Sequence, residues 1–185
     1  MTNLLVILNH PSHYRKSIYE LISQNFDCRF YFGDLSWLQI KELSNPLFDY
    51  KKLYSINLFN VAYIIFGSLL IFLRSKEKNI LLTGEIRSLS VWLILIFNIF
   101  LKKNISLWGH GFYGKENFFV VTIKKFFFGL ANYNLVYGER SKNLMILHGF
   151  DSQKVYVINN SLDYISMLKH RNNSSANNVL NEKFK

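Results

Sequence analysis

The stretch Ile105-Ser-Leu-Trp-Gly-His-Gly-Phe-Tyr-Gly-Lys-Glu-Asn-Phe-Phe-Val-Val-Thr-Ile-Lys-Lys-Phe-Phe-Phe-Gly-Leu-Ala-Asn-Tyr-Asn-Leu-Val-Tyr137 decides how the rest of the chain is read. It opens on a short apolar run at 105–108, turns through a glycine-containing loop and enters a helical segment at 117–130. A second short apolar run follows at 134–137. Strand, helix and strand in succession form the unit from which parallel sheets are built.

Working outward, the alternation recurs on both sides. Upstream, strands are expected at 4–8, 28–32 and 80–83, and helices at 14–24, 61–74 and 87–101. Ile18, Leu21 and Ile22 share one face of the first of these helices. Downstream, a helix at 140–148 ends at Gly149, a residue suited to the left-handed position after a helix, and a strand at 155–158 follows. Residues 34–60 show no clear period, and no internal repeat is visible. The pattern predicts an α/β domain over 1–168, a parallel sheet with helices on both faces, which binds ligands at the carboxyl ends of its strands. From Lys169 the composition becomes His-Arg-Asn-Asn-Ser-Ser-Ala-Asn-Asn, so 169–185 reads as a linker.

A length of 185 residues suits one such domain, and 50% apolar with 18% charged residues excludes long-range disorder. One cysteine, Cys28, excludes a disulfide framework and a cysteine-based zinc ribbon. The net charge is +10, but 16 of the 22 basic residues are Lys and 20 residues are Asn, a bias typical of AT-rich coding. No nucleic-acid-binding module accompanies the charge, so a nucleic-acid partner is not expected, whereas attraction to an anionic membrane surface is. The apolar run at 4–8 is too short for a signal peptide and follows no basic residue, which points to the cytoplasm. The runs at 61–73 and 89–101 fall short of the ~20 residues that span a bilayer, so they read as helices of the α/β domain. A small integral membrane protein with two spans stays open, because Arg74, Lys76, Lys102 and Lys103 close these runs.

Among residues able to carry chemistry, Gly109-His-Gly-Phe-Tyr-Gly114 is a formal G-x-G-x-x-G between a strand and a helix. The following strand leads to an acid, Glu139, which is the context of a dinucleotide fingerprint. Against that, Phe112 and Tyr113 crowd the loop, and the unit lies mid-chain instead of in a first βαβ. His110 stands at the strand end, where a neutral imidazole can exchange hydrogen bonds with a sugar hydroxyl. His10 and His13 have metal-like spacing but lack an acidic or cysteine partner, so no metal site is expected. A serine-hydrolase elbow, a P-loop and a zinc-protease motif are all missing.

Three stretches in order resemble the N-terminal domain of bacterial family 4 glycosyltransferases, retaining enzymes of the GT-B fold. They are Pro11-Ser-His-Tyr-Arg-Lys-Ser-Ile-Tyr-Glu-Leu, then Leu107-Trp-Gly-His-Gly-Phe-Tyr-Gly-Lys-Glu, then Ala131-Asn-Tyr-Asn-Leu-Val-Tyr-Gly-Glu-Arg-Ser-Lys with Gly149 and Lys154-Val-Tyr-Val-Ile-Asn-Asn-Ser-Leu-Asp163. The resemblance covers about residues 4–165, with 34–75 contributing little. It implies a Rossmann-like domain that holds the acceptor side of a cleft, in an enzyme of cell-surface polysaccharide or glycolipid synthesis. It further implies that His110 lies nearest the reacting sugar as the catalytic residue. Tyr14, Arg15, Gly109, Gly111, Lys115, Glu139 and Arg140 would line or rim the cleft, with Asn160 where the chain crosses to a second domain. The expected partners are a sugar or lipid-linked saccharide acceptor, the inner face of the plasma membrane and a C-terminal donor domain. A nucleotide-sugar would be co-substrate, with no further cofactor. The family's donor domain, with its Glu-x7-Glu pattern, would begin near residue 180 and does not occur in this sequence. The chain is therefore expected to be an acceptor-side half that does not transfer sugar alone.

Overall fold

A computed structural model describes residues 1–159. The elements run β1 (Asn3–Leu8), α1 (Lys16–Asn25), β2 (Asp27–Gly33), β3 (Tyr50–Leu53), β4 (Ser55–Leu58), β5 (Ala62–Ile65), α2 (Ser68–Arg74), β6 (Asn79–Thr83), α3 (Leu89–Leu101), β7 (Asn104–Gly109), α4 (Phe118–Gly129), β8 (Tyr133–Val136), α5 (Glu139–Leu147) and β9 (Val155–Val157). Seven strands form one sheet in the order β3-β2-β1-β6-β7-β8-β9, and every pairing in it is parallel. The chain builds outward from β1 in one direction, then returns to β1 and builds outward in the other. This is the Rossmann order extended by one strand, with the switch point between β1 and β6.

The two-residue period of the strands sorts the core into two layers. Leu5, Ile7, Ile80, Leu82, Ile105, Leu107, Val136 and Val155 point to one face, where α2, α3, α4 and α5 cover them with Phe72, Ile94, Leu95, Phe127, Phe128 and Met145. Val6, Leu8, Phe30, Phe32, Leu81 and Trp108 point to the other face, against Tyr19 of α1 and Leu43. The expected sheet with helices on both faces is thus present, with four helices on one side and one on the other.

The helix expected at 61–74 is corrected by the structure. Its first part is β5, paired antiparallel with β4 through a turn in which Phe59 and Asn60 take positive φ. The Asn57 side chain clamps that turn, accepting from the Asn60 amide at 2.9 Å and donating to the Asn60 side chain at 2.6 Å. Gly67, at φ +79°, then starts α2. The two-span alternative also falls: among the described residues no helix is long and apolar enough to cross a membrane. Helix α3 buries Val91, Ile94 and Leu95 but presents Leu93, Ile96, Phe97 and Phe100 to solvent, the last 81% exposed.

Of the lysines bordering the apolar helices, two serve the interior. Lys103 closes the end of α2 by donating to the carbonyls of Phe72 and Ser75 and to the Ser75 hydroxyl. Lys124 is buried on α4, where its ammonium donates to the Gly111 carbonyl at 2.8 Å and pairs with Glu116 at 2.7 Å. Glu116 also accepts from the amides of Tyr113, Gly114 and Lys115. One carboxylate therefore ties the loop after β7 to α4. Burial pushes the Glu116 carboxyl up, but the Lys124 ammonium and the amides of Tyr113 and Gly114 outweigh it and bring the group to about 2. Because the folded value lies below the unfolded one, this contribution to stability is complete above about pH 5 and is lost as the pH falls toward 2. Glu116→Gln should cost about 3 kcal/mol near neutrality, since it strands the Lys124 charge. Urea denaturation of the two proteins across that pH range should show the variant with the shallower slope; equal slopes would contradict the assignment.

Candidate functional site

At the switch point the loops after β1 and β6 leave in opposite directions, and a cleft of about 480 Å³ opens between them. Its floor is the carboxyl edge of β1, β6 and β7, represented by Asn9, Thr83 and Trp108. Two glycines keep that floor low. The Gly84 amide donates to the Trp108 carbonyl at 2.7 Å, and a Cβ on Gly109 would lie 2.4 Å from the Gly84 oxygen. No side chain fits between the strand ends here.

The wall on the β7 side is the loop 109–116. Gly111 and Gly114 take positive φ, which accounts for both glycines without a ligand. The amides of Tyr113, Gly114 and Lys115, which would face a pyrophosphate in a dinucleotide site, donate instead to Glu116. The formal G-x-G-x-x-G is therefore a self-satisfied loop, and the geometry does not favour the dinucleotide reading. What the loop presents to the cleft is His110. The Ser141 hydroxyl donates to the His110 carbonyl at 2.6 Å and fixes its backbone. The imidazole stands edge-on to Tyr137 at 4.6 Å and beside Tyr113 at 5.5 Å. Its ring nitrogens have no hydrogen-bond partner among the described residues. Burial lowers the His110 pKa, and the charges of Arg15 and Lys124 lower it further against the opposing pull of Glu85. At neutral pH the ring is uncharged, with one nitrogen a donor and the other an acceptor.

On the β1 side, Tyr14 and Arg15 enter the cleft from a 3-10 turn at His13–Arg15 that leads into α1. The Arg15 guanidinium lies over the Trp108 ring at 4.9 Å and donates to the Tyr137 hydroxyl at 2.6 Å. Tyr137 thus touches both Arg15 and His110. Behind this turn, His10 and His13 donate to the carbonyls of Ile40 and Lys41 and hold the segment that roofs the first loop. His10 is 2% exposed and its Nδ1 makes no hydrogen bond.

The structure brings Tyr14, Arg15, Gly109, His110 and Gly111 together around one cleft. Lys115, Glu139 and Arg140 are exposed and do not line it: Lys115 sits at the tip of the loop, and the other two start α5. Asn160 lies outside the described residues. Several lining residues escaped sequence reasoning, namely Asn9, His10, Thr83, Glu85, Arg87, Trp108 and Tyr137. A usable signal existed for the pair Glu85 and Arg87, which follow the expected strand 80–83 and form an ion pair at its carboxyl end. His10 stood out only for its spacing to His13, and its place in the cleft depends on the segment 38–43.

No protein-family model matches the chain, and no curated protein matches it. Solved structures do. UDP-GlcNAc 2-epimerase from Neisseria meningitidis, bound to UDP-GlcNAc, superposes with a TM-score of 0.57 at 17% identity, covering 100% of this chain and 54% of that one. The UDP-GlcNAc 2-epimerase of Methanocaldococcus jannaschii gives 0.56 at 15% identity, covering 85% of this chain and 45% of that one. The lipopolysaccharide outer core galactosyltransferase WaaB, in its apo form, gives 0.52 at 14%, covering 87% and 46%. The chain spans about half the length of the solved proteins it matches. At these identities the likeness concerns the fold, and the fold is a Rossmann-like α/β domain of the kind that forms the N-terminal half of a GT-B protein.

Proposed function

We propose that this chain is the acceptor-side half of a nucleotide-sugar-dependent glycosyltransferase that acts with retention in cell-surface polysaccharide or glycolipid synthesis. The observation that carries the reading is His110: an uncharged imidazole whose nitrogens have no hydrogen-bond partner among the described residues, held by its backbone at the switch-point cleft where such sheets bind ligands. A sugar hydroxyl placed there meets both a donor and an acceptor. The likeness to WaaB and the order of the three resembling stretches support the same reading. Nucleotide-sugar binding belongs, in this reading, to a second domain facing the cleft. A nucleotide-sugar epimerase is the second reading, favoured by the two superpositions on UDP-GlcNAc 2-epimerases.

Saturation-transfer NMR of the chain with a panel of neutral mono- and disaccharides should detect binding without added nucleotide, and His110→Ala should weaken it about 10-fold. Binding of UDP-GlcNAc with no saccharide binding would favour the epimerase reading. Saccharide binding indifferent to His110→Ala would contradict the role given to this residue.

Peripheral docking on an anionic membrane is part of the proposal. Helices α2, α3 and α4 expose Leu70, Phe97, Phe100, Phe118, Phe119 and Phe126, and the exposed cations Arg74, Lys102 and Lys125 lie at the end of α2, at the end of α3 and within α4. Apolar side chains with flanking cations provide the two signals that reversible membrane binding requires. Co-sedimentation with phosphatidylglycerol vesicles should exceed that with phosphatidylcholine vesicles, and the double variant Phe100→Ser, Phe119→Ser should lose most of it. Equal absence of binding to both lipids would remove this part of the proposal.

A further inference from the structure

Among the described residues lining the cleft, the charges pair off with one exception. Glu85 holds Arg87, and the buried Lys124 holds Glu116. Arg15 has no carboxylate partner among the described residues, although it is only partly exposed and its guanidinium is set in place by Tyr137 and Trp108. A cation withdrawn from water without a counter-charge is costly unless a ligand supplies the charge. The guanidinium lies over the Trp108 ring, its hydrogen bond to the Tyr137 hydroxyl occupies one of its five N–H groups, and the Tyr19 hydroxyl lies beside it. The remaining N–H edge suits the paired oxygens of a phosphoryl group.

Resting on the transferase reading above, we infer that Arg15 is an anion-recognition residue and that the saccharide bound in this cleft carries a phosphoryl group next to the ring that meets His110. Tyr137 sets the spacing, since it touches the guanidinium through its hydroxyl and the imidazole through its ring. The anion answers Arg15, and the neutral imidazole answers the hydroxyls. The ligand is therefore a sugar phosphate or a phosphate-linked saccharide, with a neutral glycan the weaker binder.

Isothermal titration of the chain with glucose 1-phosphate, glucose, inorganic pyrophosphate and UDP tests this. Glucose 1-phosphate should bind at least about 10-fold more tightly than glucose, and Arg15→Gln should abolish that preference. Arg15→Lys, which keeps the charge but not the fork, should retain part of it, and thermal melts of both variants separate a lost contact from a lost fold. A second readout follows from the surroundings of His110, which faces Arg15, Glu85 and Lys124 as charged groups and Tyr113 and Tyr137 as phenols. Glucose 1-phosphate should move the His110 imidazole titration upward in the wild type and leave it unmoved in Arg15→Gln. Equal affinity for glucose and glucose 1-phosphate would overturn the inference and leave the transferase reading standing. UDP or pyrophosphate binding more tightly than glucose 1-phosphate would overturn it by assigning Arg15 to the donor. Strong thermodynamic coupling between Arg15→Gln and Asp163→Asn, measured by a double-mutant cycle, would overturn it by showing that the chain supplies its own counter-charge. Binding of none of these saccharides would remove the transferase reading itself.

Discussion

The reversal of strand order between β1 and β6 is the constraint on which the rest depends. A parallel sheet sends every strand in one direction, so all its connections leave from the same edge. Where consecutive crossovers go opposite ways, the loops part and nothing spans the gap. The cleft is a consequence of that topology, and its chemistry follows from what stands at the strand ends. Gly84 and Gly109 keep the floor open because their backbones touch. His110 and Arg15 look into the space from opposite walls, with Tyr137 between them.

Rigidity of the β7 wall comes from a source the sequence hides. Glu116 looks like one more surface acid before a helix, and Lys124 like one of a pair of lysines beside phenylalanines. The fold turns the two inward, and the Glu116 carboxylate takes up the amides that a phosphate would need while Lys124 holds it in place. A glycine pattern associated with nucleotides thereby becomes a frame for a histidine. The sheet's other exposed feature, the apolar surface of α2, α3 and α4, lies on the helix layer, and Lys124 contributes nothing to its charge.

Most of the sheet was legible because buried parallel strands are short apolar runs with polar punctuation. The runs at 4–8, 28–32, 80–83, 105–108, 134–137 and 155–158 all became strands within a residue or two. The run at 61–74 failed for a physical reason: a continuous apolar segment has no phase, so strand and helix look alike, and only Gly67 marked the break. Strand β3 was illegible because it is an edge strand reading Tyr-Lys-Lys-Leu, with both lysines in solvent. In the site, His110 was legible because it directly follows a strand, whereas Tyr14 and Arg15, which lie further beyond the end of β1, were reached through the resemblance alone. Lys115, Glu139 and Arg140 also follow strands, yet the local turn points them away, an outcome set by Glu116 and by Gly138 that spacing does not reveal. His10 was illegible as a cleft residue because its partner, the Ile40 carbonyl, comes from a distant loop.

The most direct measurement is the map of backbone amide shifts when glucose 1-phosphate is titrated into the isotope-labelled chain. Changes should concentrate in residues 9–15, 84–87, 109–113 and 137, around the carboxyl edge of β1, β6 and β7. Changes confined to the opposite edge of the sheet, or to the helix layer, would contradict the site assignment.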